Sequence, residues 1–275
     1  MRRRLDTELV RRRLAASRTD AAAAIREGRV MVAGRPALKA ATLVAPDEPV
    51  VIEPGGDAFV SRGGVKLDAA LDRFDLDVAE RCCLDAGAST GGFTDCLLRR
   101  GAAAVLAVDV GYGQLAWAIR NDPRVTVLER TNVRELRADE LPYRPDVVVA
   151  DLSFISLRSA LPALVSLAGG PADLVLLVKP QFEAGRGDVG KGGVVRDPDV
   201  WRRVLAEVAQ ASRDQGLVPR AAMASPILGP AGNAEFFLHA GRVSAIANGA
   251  APAPAPAALD LDAAILEATR MREAS

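Results

Sequence analysis

One stretch constrains the fold more than any other: Asp85-Ala86-Gly87-Ala88-Ser89-Thr90-Gly91-Gly92-Phe93-Thr94-Asp95. It follows the apolar run Arg81-Cys82-Cys83-Leu84 and leads into helical sequence from Phe93 to Arg100, so glycines fall where a parallel strand gives way to a helix. Such a turn is a nucleotide cradle, because its backbone N–H groups point outward and no Cβ obstructs a ligand. A purely structural turn is the alternative. The dinucleotide fingerprint G-x-G-x-x-G does not fit, since three residues separate Gly87 from Gly91-Gly92.

The rest of the chain agrees with a strand-and-helix alternation. Strand-like segments recur near Cys82–Asp85, Ala104–Val110, Val125–Leu128, Asp146–Asp151, Leu174–Lys179, Pro219–Ala224 and Glu235–His239, with helical runs at Leu157–Leu167 and Asp197–Gln215. That pattern predicts a doubly wound α/β sheet. The connection from Pro226 to Gly232 is too tight for a crossover helix, so the last strand is expected to run antiparallel. Asp109 ends the second strand, about 18 residues after the glycine turn, where such sheets place an acceptor for ribose hydroxyls. Asp85-x-Gly87-x-x-x-Gly91 resembles the first motif of S-adenosylmethionine-dependent methyltransferases. The implied architecture is a Rossmann-like methyltransferase sheet, and the implied cofactor contacts are Asp85, Gly87, Ser89, Gly91, Phe93, Asp109, Asn132 and Val133.

At 275 residues, 49% hydrophobic and 25% charged, the chain has room for one α/β domain and a small appendage. No apolar run reaches the length of a membrane-spanning helix, and Asp6, Glu8 and Arg11-Arg12-Arg13 interrupt any signal-like start, so the expected location is the cytoplasm. Cys82, Cys83 and Cys96 lack metal-ligand spacing and suit buried packing; no metal is expected. The single histidine, His239, sits in a strand and suits packing as well. No serine stands on a G-x-S-x-G elbow, which argues against triad hydrolysis.

A net charge of zero conceals an asymmetry. Through Lys39 there are eleven basic and four acidic side chains, a net of +7, which leaves −7 for the remainder. A basic head on an acidic body points to a polyanion-binding module joined to a domain with other work. Leu5, Leu9, Val10 and Leu14 recur at helical spacing, Ser17 can cap a second helix ending at Gly28, and Val30, Val32, Val44 and Val50 to Ile52 suit a small sheet. This order resembles the RNA-binding module first seen in a small-subunit ribosomal protein. Arg3, Arg4, Arg11, Arg18, Arg26 and Arg35 are its candidate RNA contacts. The expected domains are 1–54 for this α+β module, 55–64 for a linker, 65–245 for the methyltransferase sheet and 246–275 for a tail. Within the tail a Pro/Ala spacer precedes a candidate helix, Leu259–Met271, that reads more readily as disordered than docked.

Methyl transfer to a base nitrogen needs little help, but a ribose 2′-hydroxyl must lose a proton as it attacks. Lysine can accept that proton only when desolvation or a neighbouring positive charge leaves it neutral part of the time. Two strand ends offer candidates: Asp151-Leu152-Ser153-Phe154-Ile155-Ser156, and Lys179-Pro180-Gln181-Phe182-Glu183. Both belong at the carboxyl edge, where open sheets bind ligands. Glu235 opens the last strand, and Lys66 follows the linker. The ordered set Lys66, Asp151, Lys179, Glu235 resembles the tetrad of FtsJ-type ribose 2′-O-methyltransferases. With the basic head, the chain resembles the TlyA family of ribosomal RNA 2′-O-methyltransferases over about residues 1 to 243. The resemblance implies those four residues as catalytic, with Lys179 the proton acceptor, and cytidine of small- or large-subunit rRNA as substrate. One departure stands in the linker, where Asp57-Ala58-Phe59-Val60 replaces the arginine and tryptophan frequent in that family. Two other readings remain: a non-catalytic RNA-binding or ribosome-assembly protein, and a membrane-active haemolysin.

Overall fold

The computed structural model describes residues 2–26, 29–37, 39–52, 59–242 and 259–274. They fall into two compact units, Met1–Ala58 and Phe59–Ser275.

The first unit runs β1 (Arg3–Arg4), α1 (Leu5–Arg11), α2 (Arg18–Arg26), β2 (Val30–Val32), β3 (Arg35–Pro36), β4 (Leu43–Val44) and β5 (Val50–Ile52). The Ser17 hydroxyl accepts from the Asp20 N–H and so caps α2. Ala33 and Gly34 both take positive φ, the conformation a two-residue hairpin demands, and return the chain from β2 to β3. Leu5 and Leu9 of α1 meet Ala21 and Ile25 of α2, and Val30 and Val44 close the core from the sheet side.

The second unit begins with α3 (Arg62–Arg73), capped by Ser61. There follow β6 (Cys82–Ala86), α4 (Gly92–Arg99), β7 (Ala104–Val108), α5 (Trp117–Arg120), β8 (Val125–Leu128), β9 (Val147–Ala150) and α6 (Leu157–Leu167). The remainder is β10 (Asp173–Val178), α7 (Pro180–Glu183), α8 (Pro198–Asp214), β11 (Val218–Ala224), β12 (Phe236–Gly241) and α9 (Leu261–Glu273). The strands form one sheet in the order β11-β12-β10-β9-β6-β7-β8, in which β12 alone opposes its neighbours. Because helices cover both faces, the central strands read as continuous apolar runs rather than alternating ones. Leu84, Leu106, Val148 and Leu176 pack with Leu161 and Trp201 on one face; Cys83, Val105, Val149 and Leu177 pack with Leu67 and Leu97 on the other.

Two expectations change. The helix expected within the tail is docked: Ala264, Ile265 and Ala268 of α9 are buried in the sheet's core, and Asp260 caps the helix. Small residues at helical spacing let it lie close, a fit that composition conceals. The Pro/Ala spacer lies outside the described residues. The expected linker 55–64 also shortens at its end, since the Ser61 cap starts α3 inside it; residues 55–58 lie outside the described set.

Candidate active site

The sheet changes winding direction between β6 and β9, and a crevice opens there at the carboxyl ends of the strands. Gly87 passes so close to β9 that a Cβ would stand 2.5 Å from the Asp151 carbonyl oxygen, and its φ of +89° suits glycine alone. Beyond it Ser89 turns with φ +48°. The Asp109 carboxylate accepts from the N–H groups of Ser89 (2.8 Å) and Gly111 (2.6 Å), which locks the glycine turn to the end of β7. The result is a cavity of about 400 Å³. Of the residues expected to hold cofactor, Gly87, Ser89, Asp109, Asn132 and Val133 line it. Gln114, Arg134, Ser153 and Phe154 line it too, and were not expected.

Three expected cofactor residues stay off the wall. Asp85 is fully buried and its Oδ2 accepts from the Thr94 hydroxyl at 2.7 Å, because strand alternation turns it toward α4 rather than the crevice. Burial pushes its carboxyl up to about 7, with the Asp151 charge adding and the Thr94 hydrogen bond opposing. Gly91 takes φ +96° at the start of α4, hard against Leu115 and Ile119. Phe93 is buried one residue into the helix and packs on Phe237 with ring centroids 6.0 Å apart.

The four candidate catalytic residues come together as two ion pairs along the same edge. Val178 pairs with Phe236 in antiparallel register, so Lys179 and Glu235 follow as neighbours, and Asp151 extends β9 alongside. Lys66 Nζ stands 2.5 Å from Glu235 Oε2, both groups buried, with Gly229 packed over the carboxylate. Lys179 Nζ stands 2.5 Å from Asp151 Oδ1, but that oxygen lacks an aligned hydrogen bond. The aligned donation from Lys179 goes instead to Ser153 Oγ at 2.8 Å. Asp151 belongs to both the cavity wall and the pair, which places the lysine beside the cavity.

The loop after β9 has a feature that sequence patterning missed. Phe154 is 88% exposed and holds φ +67°, a conformation that costs a bulky residue of order 1–3 kcal/mol. Its ring leans on Phe182, centroids 5.3 Å apart, and leaves a face to solvent at the cavity. Glu183 anchors the loop: its buried carboxylate accepts from Ser156 Oγ and Leu157 N, each at 2.5 Å, and ties the segment after β10 to the start of α6. An aromatic three residues after a strand-end acid, with Leu152 and Ser153 between them, was the available signal.

In the first unit the candidate RNA contacts are surface arginines. Arg4 and Arg18 pair with Asp6, whose carboxyl they hold well below its ordinary range. Arg11 and then Arg12 hold Glu8 down to about 2. Arg3 lies 3.9 Å from Glu8, and Arg26 and Arg35 are exposed. Arg12 differs in using its guanidinium on the carbonyls of Ala45, Pro46 and Glu48.

Elsewhere, His239 stacks on Phe74 and bonds Asp173 at 2.9 Å, far along β12 from Glu235. Burial pushes the Cys83 and Cys96 thiols up to about 12. Among the described residues no group of three or more His, Cys, Asp or Glu side chains is placed to hold a metal ion, and no helix is long and apolar enough to cross a membrane.

Residues 59–242 match the family model of FtsJ-like methyltransferases, and residues 3–50 match that of the S4 domain. The chain is 56% identical over 238 residues to the 16S/23S rRNA (cytidine-2′-O)-methyltransferase TlyA of Mycobacterium tuberculosis, covering 86% of this chain and 89% of that protein. It is 43% identical over 185 residues to Hemolysin A of Brachyspira hyodysenteriae, covering 66% of this chain and 76% of that one. A solved structure named as a hemolysin, from Streptococcus thermophilus, superposes with a TM-score of 0.72 at 34% identity, covering 99% of this chain and 96% of that one.

Proposed function

The chain belongs to the TlyA family of FtsJ-like methyltransferases, and from that premise we propose that it methylates the 2′-hydroxyl of a cytidine in ribosomal RNA with S-adenosylmethionine. The observation that carries the proposal is the meeting of Lys66–Glu235 and Lys179–Asp151 at one sheet edge, beside a cavity that shares Asp151.

The cavity suits the cofactor. Asp109 presents a carboxylate at the strand end where ribose hydroxyls are accepted, Val133 offers apolar surface, and the missing Cβ of Gly87 lets the turn close on Asp151, which lines the cavity with it. Gly87, Ser89, Asp109, Asn132 and Val133 would hold the cofactor, which supplies a methyl group on a positively charged sulfur. The protein's own work is to place the sugar and handle its proton. A ribose hydroxyl is almost un-ionised at neutral pH, so general-base help during attack is worth roughly 10²–10⁴-fold. Lys179 Nζ, when it holds a free lone pair, takes that proton. Asp151 fixes where the amine sits. Glu235 holds Lys66, whose charge is available to the ribose or its phosphate. Phe154 offers its open face to a base turned out of its stack, since base–aromatic stacking contributes about 1–3 kcal/mol. The arginines of the basic head hold the RNA backbone, with ribosomal subunits as the partner.

Incubation with methyl-labelled S-adenosylmethionine and separated ribosomal subunits tests this reading. Label enters RNA with the wild type and not with Lys179→Ala; absence of label from both subunits with the wild type refutes it. A non-catalytic RNA-binding role predicts instead that Lys179→Ala is indistinguishable from wild type in cells. The haemolysin reading predicts leakage from dye-filled liposomes; among the described residues no helix is long and apolar enough to cross a membrane.

A further inference from the structure

The Lys179 amine is tetrahedral, so once Cε occupies one direction three remain. Asp151 Oδ1, 2.5 Å away, lacks the geometry of a hydrogen bond with it and holds the amine in place by charge. A carboxylate contact of that kind fixes position but leaves the amine free to rotate about Cε–Nζ. Ser153 Oγ, at 2.8 Å, is the aligned acceptor of a Lys179 N–H. We propose that Ser153 is a positioning residue: by accepting that hydrogen bond it fixes the rotation of the amine and leaves a lone pair aimed at the sugar hydroxyl.

Three observations support the assignment. Ser153 lines the cavity together with Asp151, the acid that the Lys179 amine contacts, so all three groups stand at the cavity's edge. Its backbone is not free to drift, because the following residue holds φ +67° and Glu183 pins the loop two residues further on through Ser156 and Leu157. Lys179 itself is nearly buried, so bulk water is a poor substitute for the lost acceptor. Rotational freedom matters because a proton acceptor works only when its lone pair meets the hydroxyl at hydrogen-bonding distance, and misplacement by about 1 Å costs on the order of 10²-fold.

The inference rests on Lys179 being the proton acceptor, and the test separates the two claims. Ser153→Ala, Ser153→Thr, Lys179→Ala and the double variant Ser153→Ala/Lys179→Ala are compared with wild type for single-turnover methylation of RNA, KM for RNA, and cofactor affinity by calorimetry. The expected result is a 10- to 100-fold fall in the rate for Ser153→Ala at unchanged KM, cofactor affinity and melting temperature. Threonine, which keeps the hydroxyl, restores the rate to within about threefold. In the Lys179→Ala background the Ser153→Ala change has no further effect. Full rate in Ser153→Ala, or a rise in KM alone, overturns the positioning role while leaving the methyltransferase reading intact. Wild-type activity that survives Lys179→Ala overturns the premise instead.

Discussion

Asp85 illustrates how a residue of the right type in the right motif can serve the fold rather than the ligand. Strand pairing turns its carboxyl to Thr94, and with one oxygen unpartnered in the interior it holds its proton up to about pH 7. The unfolded chain loses that proton near 3.8, so stability falls as pH rises between 3.8 and about 7, where only the folded state still binds it. Asp85→Asn removes this dependence. Melting temperatures from pH 5 to pH 8 are expected to show the variant gaining on wild type as pH rises; parallel curves contradict it. Phe154 is the opposite case, an apolar ring kept exposed at a conformational cost. Phe154→Ala is expected to raise KM for RNA roughly 5- to 150-fold, about the 1–3 kcal/mol of one stacked base, and to leave cofactor affinity unchanged in calorimetry. The sequence made Lys66, Asp151, Lys179 and Glu235 legible because each sits at a strand end or in a capped helix. Whether Asp85 and Phe93 face crevice or core depends on strand alternation and helix phase, and the motif's spacing does not report either.

At the level of elements, the order and direction of the strands were readable because apolar runs buried on both faces are unlike any loop, and because the short turn before β12 forbids a crossover. The docking of α9 was not readable. Its buried positions are Ala264, Ile265 and Ala268, too little apolar surface to announce a core helix, and the decisive contacts come from elsewhere: Glu267 accepts from Arg73 of α3, and Arg272 lies over the Trp201 ring. Ile265 is the largest of the buried three. Its replacement by alanine is expected to lower unfolding free energy by roughly 2–4 kcal/mol in urea denaturation. A change under about 0.5 kcal/mol would mean the helix is not packed as described.

Across the whole chain, a basic head is joined to an acidic body, and the division of charge follows the division of labour proposed for them. Of the head's arginines, Arg4, Arg11 and Arg18 already balance Asp6 and Glu8, whereas Arg26 and Arg35 are exposed with charge to offer a phosphate. Reversing both, Arg26→Glu with Arg35→Glu, is expected to weaken binding to ribosomal subunits about tenfold or more and to flatten its salt dependence in filter-binding titrations. Cofactor affinity stays as in wild type. The claim on which the account depends is that Lys179 enables methyl transfer to a cytidine ribose. Mass spectrometry of nucleosides from rRNA treated with wild type and with Lys179→Ala measures it most directly. The account predicts 2′-O-methylcytidine with wild type and none with the variant, while both bind S-adenosylmethionine alike; methylation on a base, or equal 2′-O-methylcytidine from both proteins, contradicts it.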